Sequence, residues 1–273
     1  MSGICTYSRL GFMGRLGNQM FQIAATIAYG LEHNKEARFP KWDYSKYFNH
    51  KLNLLDQSVN SDHSIFCYQE PHFHYSEIPK IEGDVGLVGF FQSEKYFKKH
   101  ESEIRDIFSL SGEWESEVYS KFETQVRGYE RLKEKCFDSI VGVHIRRGDY
   151  VTNVHTNAYH GVLPSAYYEA GANEIFGEIY PQDVLFFVFS DDPQWCKDNL
   201  KFPHMIFSED EEDIVDMYKM SFCDDFIIAN SSFSWWAAYL GKGEDKMVVA
   251  PRNWFAGANL FCEDIYCKDW MLV

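Results

Sequence analysis

The chain has 273 residues, 45% hydrophobic and 17% aromatic, enough to bury a large core in one or two domains. Its net charge of −15 disfavours nucleic acid or an anionic membrane as the main partner, so any anionic ligand must be held by local positive groups. No run of about eighteen apolar residues and no basic, then apolar leader is present, and the seven scattered cysteines lack a Cys-x-x-Cys pair; the expectation is a soluble, cytoplasmic protein with reduced thiols.

In chain order, Ile4 to Leu10 predicts a first strand, followed by a glycine loop and an amphipathic helix from about Asn18 to His33, in which Met20, Ala24, Ile27, Ala28 and Leu31 recur at helical spacing. Gly11, Gly14 and Gly17 form Gly-x-x-Gly-x-x-Gly, which is neither the dinucleotide fingerprint nor a P-loop. The loop instead allows close backbone approach to a ligand, with Arg15, Gly17, Asn18 and Gln19 at the helix start; Asn18 would equally serve as the helix cap. Val85 to Phe91 predicts a buried strand leading through Gln92, Ser93 and Glu94 into a charged helix that ends near Ile107. Glu113 to Lys135 predicts a polar helix, and the lobe boundary is placed at its end, giving an N-terminal lobe 1–135 and a C-terminal lobe 136–273. His72 and His74 supply two metal-type ligands without a recognisable third.

From Ile140 the pattern becomes regular. It runs through a strand, a charged loop, a helix from Pro164 to Phe176, a strand from Val184 to Phe189 and a short helix opened by Ser190 to Pro193. Met205 to Phe207, a helix from about Glu211 to Phe222, a strand Phe226 to Ala229, a helix from Ser232 and a last strand Met247 to Ala250 follow. Strands alternating with helices imply an α/β fold with mainly parallel sheets covered on both faces.

Three strand ends carry chemistry. His144-Ile145-Arg146-Arg147-Gly148-Asp149 follows the apolar run Ile140 to Val143, so two guanidinium forks meet the carboxyl end of a buried strand, where open α/β sheets bind ligands. Alternation turns His144 and Arg146 to one face and Arg147 to the other, while Asp149 reads as a clamp on the arginines. Asn230, Ser231, Ser232, Phe233 and Ser234 join a second buried strand to a helix N-terminus, which can cradle a phosphate, although a serine there is also a simple cap. Asp191 and Asp192 end a third strand, and Asp216, on the helix one element before the Asn230 loop, could accept from the amino edge of guanine. Trp235 and Trp236 read as core. No Asp-x-Asp occurs, which disfavours a sugar-nucleotide site built on a divalent metal.

Taken together, Gly14 to Gln22, Gly89 to Phe97, Val143 to Tyr150, Phe189 to Asp192 and Asn230 to Ala238 resemble the inverting α-1,2-fucosyltransferases of glycosyltransferase family 11. The resemblance implies a GT-B fold of two Rossmann-like lobes, GDP-fucose as donor held by the C-terminal lobe, no metal or other cofactor, and a glycan acceptor ending in galactose or a similar sugar. It also implies Arg146 on the donor diphosphate with Arg147 in support, His144 and Asp216 by the nucleoside, Ser231 and Ser232 on phosphate, and Gly14 to Gln19 with Gln92 on the acceptor side. For the base that takes the acceptor proton, Glu94, Asp149 and His160 remain alternatives. Animal members carry an N-terminal membrane anchor; its absence leads to the expectation of a microbial or viral source. The remaining alternatives are a different GDP-sugar donor, such as GDP-mannose, and a catalytically inactive binding protein.

Overall fold

The computed structural model of the chain describes residues 3–55, 65–209, 212–243, 245–257 and 260–273. Its contacts divide the chain into two units, Met1–Glu115 with Phe261–Cys267, and Ser116–Leu260 with Lys268–Val273.

In the first unit, β1 (Ile4–Thr6), β2 (Glu36–Arg38), β3 (Phe66–Gln69) and β4 (Val85–Val88) form a parallel sheet in the order β2-β1-β4-β3. Helix α1 (Leu16–His33) is buried at thirteen of its eighteen positions, so it is more fully enclosed than the amphipathic spacing alone predicts. Leu31, placed on its apolar face by that reading, is 50% exposed, because burial stops at Gly30 and the helix ends at Asn34 in the left-handed conformation. β1 and β4 are shorter than expected. The residues beyond them, Tyr7 to Leu10 and Gly89 to Phe91, turn out of the sheet to form its carboxyl-end loops. The charged helix expected after Gln92 is two 3-10 turns, Glu94–Tyr96 and Lys98–His100, followed by α2 (Glu101–Ile107).

Helix α3 (Gly112–Lys133) crosses from one unit to the next, so the division falls after Glu115 and not at residue 135. The reason is its buried stripe, Val118, Phe122 and Val126, at four-residue spacing: Phe122 stacks on Phe187 at 5.7 Å within the second unit.

The second unit holds β5 (Ser139–Ile145), β6 (Val184–Ser190), β7 (Met205–Phe207), β8 (Asp225–Ile227), β9 (Val248–Ala250) and β10 (Met271–Leu272), all parallel, in the order β10-β9-β8-β5-β6-β7. Counted from β5, this is the doubly wound order 6-5-4-1-2-3, whose direction reverses between β5 and β8. Val141, Val143, Ile145, Phe186 and Val188 are at most 1% exposed. Side chains buried on both sheet faces each contribute about 1.5–3 kcal/mol. Between the strands lie α4 (Gly148–Thr152), α5 (Val154–His160), α6 (Ser165–Phe176), α7 (Pro193–Asn199), α8 (Asp213–Ser221) and α9 (Ser232–Leu240). α4 and α5 occupy what the sequence reads as a charged loop, and Asn153 caps α5 by accepting from the His155 and Thr156 amides. Glu211, with which the expected α8 begins, lies outside the described residues.

Candidate active site

The register pairs Ile145 with Ser190 and Val143 with Ile227, so the loops after β5, β6 and β8 leave the sheet side by side at its carboxyl edge. Arg146, whose side chain is 18% exposed, pairs with Asp149 and lies 2.5 Å from Asp191 Oδ2. Arg147 donates from Nε to Asp192 Oδ2 at 2.9 Å and lies over the Trp195 ring at 4.1 Å. Its backbone N–H donates to Asp191 Oδ1 at 2.8 Å. A Cβ on Gly148 would stand 2.5 Å from Asp191 Oδ2, so glycine is required for this carboxylate to reach across. Asp149 and Asp191 therefore aim the Arg146 fork, which with five N–H groups retains donors for a phosphate. The Arg147 bond holds the Asp192 carboxyl below the usual carboxylate range.

Across the reversal, His144 is 6% exposed; its Nδ1 shares a 2.9 Å hydrogen bond with Ser234 Oγ, and its ring lies 4.8 Å from that of Phe233. Burial first, and the nearby Arg146 charge second, push its pKa down from 6.5 to about 3. The imidazole is thus a neutral link between β5 and α9. In the unfolded chain it takes a proton at pH 6.5, whereas the native state resists until about 3, so its stabilising effect is complete above pH 6.5 and is lost as pH falls through that window. Urea unfolding midpoints of the wild type should fall more steeply between pH 6.5 and 4 than those of His144→Gln; parallel curves would overturn this.

Ser231 caps α9 by accepting from the Phe233 amide at 3.4 Å, and Ser232 is the first residue of the helix, so the serines flank its positive end. Asn230 already has its side chain engaged within the fold. Its amide donates to the His160 carbonyl at 2.8 Å and the Trp254 carbonyl at 3.1 Å, while its own carbonyl accepts from Tyr150 Oη at 3.1 Å. It ties three segments together behind the arginine loop. His160, read as a possible base, stacks on Tyr150 at 4.6 Å with an interplanar angle of 9°, and burial lowers its pKa, opposed by Asp149. Tyr150 in turn faces Arg146, with Cζ 5.5 Å from its ring centre. The ring of His160 thus lies behind the guanidinium, with Tyr150 between them. Trp235 and Trp236 are fully buried, as core residues.

Asp216, on the first turn of α8, accepts from Ser208 Oγ at 2.5 Å and lies 3.5 Å from the Nζ of Lys219. Ser208 follows β7 and its N–H bonds to the Val188 carbonyl of β6, which puts this carboxylate at the same sheet edge.

In the first unit, the loops after β1 and β4 also emerge at the point where strand order reverses. Gly14, at φ 80, lets the chain turn against Asn18; a Cβ there would come within 2.2 Å of the Asn18 amide nitrogen. Arg15 is the exposed N-cap residue of α1, and Gly17 is buried in its first turn. Asn18 Oδ1 accepts from Gln92 Nε2 at 2.5 Å, so the two loops are joined by an amide pair. Gln19 faces inward, donating to the Gly14 carbonyl and accepting from Trp42 Nε1 at 2.7 Å. Glu94, another candidate base, is bound to Lys98 at 3.0 Å. His72 and His74 stack on each other at 4.4 Å, and among the described residues no group of three or more His, Cys, Asp or Glu is placed to hold a metal ion.

Sequence reasoning passed over Glu70, whose half-buried carboxylate accepts from the Phe90 and Phe91 amides and from Tyr96 Oη, holding the turn in which Phe91 has φ 51. A lone glutamate beyond a short exposed strand gives no signal of this. It also passed over Trp195, Tyr150 and Lys219; the last stands three residues after Asp216, a helical charge spacing that was readable.

Residues 7–273 match the model of glycosyl transferase family 11. The chain belongs to that family. An α-1,2-colitosyltransferase of Escherichia coli is 32% identical over 95% of this family 11 chain and 96% of its own length. The O-antigen biosynthesis glycosyltransferase WbnK of the same species is 46% identical over 66% of this chain and 58% of its own. The galactoside α-(1,2)-fucosyltransferase 1 of Rattus norvegicus is 26% identical over 85% of this chain and 62% of its own. Among solved structures, the fucosyltransferase NodZ from Bradyrhizobium superposes with a TM-score of 0.53 at 16% identity, covering 87% of this chain and 92% of that one. That likeness supports the GT-B-like α/β fold that the resemblance implies. No described helix of this family 11 glycosyltransferase is long and apolar enough to cross a membrane.

Proposed function

We propose that this family 11 glycosyltransferase moves L-fucose from GDP-fucose to O2 of a galactose on a glycan acceptor, with inversion and without a metal. The observation that carries the reading is the Arg146 fork, aimed by Asp149 and Asp191 at the carboxyl edge of β5, beside the serine-capped N-terminus of α9. These are preorganised donors for the charge that develops on departing GDP as an oxocarbenium-like sugar forms. In this reading Arg147 steadies the loop, His144 and Phe233 line the nucleoside side, and Asp216 accepts from the guanine edge. The Asn18 and Gln92 amides and Arg15 serve the acceptor. Glu94 and His160 are tied into local packing and Asp149 into the arginine clamp, which favours a loose transition state with no dedicated side-chain base.

A second donor is favoured by the colitosyltransferase relative: GDP-colitose, whose sugar is the 3-deoxy analogue of L-fucose. A GDP-release assay with a lactose-type acceptor separates the readings. Acceptor-dependent release fastest with GDP-fucose supports the proposal, faster release with GDP-colitose or GDP-mannose replaces the donor, and binding without release under any donor leaves a nucleotide-sugar-binding protein.

A further inference from the structure

Lys219 is fully buried, with 0% of its side chain exposed. An ammonium group taken out of water is costly unless its partners compensate, and such a residue at a sheet's ligand edge calls for a reason. Its Nζ lies over the Phe187 ring at 5.6 Å, donates to Ser208 Oγ at 2.5 Å, and stands 3.5 Å from Asp216 Oδ1. Ser208 passes the interaction on, donating its hydroxyl proton to Asp216 Oδ1 at 2.5 Å. The result is a line from a buried cation, through a hydroxyl anchored on β6 and β7, to a carboxylate that is 23% exposed.

A carboxylate reads guanine by accepting from N1–H and the 2-amino group side by side, which requires the plane of the carboxylate to be fixed. Each carboxylate oxygen has two acceptor sites, so Oδ1 can hold the Ser208 proton and still accept from a ligand. We propose that Lys219 is a positioning residue that acts through Ser208 to fix the Asp216 carboxylate, and so sets the selectivity of the nucleotide site for guanine over bases without a 2-amino group. This rests on the reading of Asp216 given above. It differs from a merely structural role for Lys219 in what it predicts: stability alone would not change with the base, whereas positioning must.

The test is calorimetric binding of GDP and of inosine diphosphate, which lacks the 2-amino group, to the full chain. A hydrogen bond from that group to a carboxylate should make GDP the tighter ligand by about tenfold or more in the wild type. Lys219→Met keeps the side-chain volume without the charge, and Ser208→Ala removes the relay. Each should bring the two affinities close together, while inhibition by inorganic pyrophosphate, which reports on the arginine clamp, stays near wild type. Asp216→Asn should abolish the preference as well. If Asp216→Asn loses the preference while Lys219→Met and Ser208→Ala keep it, the positioning role is overturned and the base contact stands. If Asp216→Asn keeps the wild-type preference, the base contact itself fails. Should Lys219→Met not fold, Ser208→Ala decides alone.

Discussion

Arg146→Ala is expected to lower kcat/KM for transfer by about 10²-fold or more, the loss typical of removing one preorganised donor from a site where charge develops. The geometry argues for a loss at the upper end. Arg146 is flanked by Asp149 and Asp191, so its removal leaves two carboxylates facing the place proposed for the diphosphate. Arg146→Lys should fall nearly as far, because an ammonium is a point donor and cannot satisfy both carboxylates and a phosphate in one plane. Steady-state kinetics with GDP-fucose, with a thermal melt to confirm folding, checks both. A folded Arg146→Ala retaining near-wild-type activity would remove the clamp from the mechanism.

Asn230→Ala is expected to act on stability first. The substitution strips the His160 and Trp254 carbonyls of their donor in a site where Asn230 is 2% exposed. Leaving buried acceptors unpaired costs about 1–3 kcal/mol each, so a loss of about 2–6 kcal/mol is expected for the two. Asn230→Asp should be no better, since a carboxylate would face two carbonyl oxygens. Urea unfolding followed by tryptophan fluorescence gives the measurement. An unchanged midpoint together with a large loss of GDP affinity would return Asn230 to the donor contact that its place in the serine loop suggested.

That contrast shows where sequence reading stopped. The strands that carry the site were legible because parallel strands buried on both faces read as apolar runs, as in Ile140 to Val143, Val184 to Phe189 and Phe226 to Ala229. Their ends were legible because the runs break abruptly into charge or small polar residues. β2, β3 and β10 were missed: each is two to four residues long and only partly buried or exposed, so the pattern is too short to register. α4 and α5 were missed because Gly148, β-branched residues and polar residues weaken the helical signal, although the Asn153 cap was there to be read.

By itself the sequence determined the alternation of strands and helices, the arginine and serine loops at strand ends, and through their joint occurrence the family. These depend on local chemistry: apolar runs, forked cations, caps. The tertiary structure alone decided which polar groups remain available to a ligand. Asn230 is spent on carbonyls 70 and 24 residues away and Glu94 on Lys98, while Asp191, 45 residues from Arg146, supplies the orientation of that guanidinium. Sequence shows a side chain's donors and acceptors, but which of them are already satisfied is fixed only when the fold brings distant backbone and charge together.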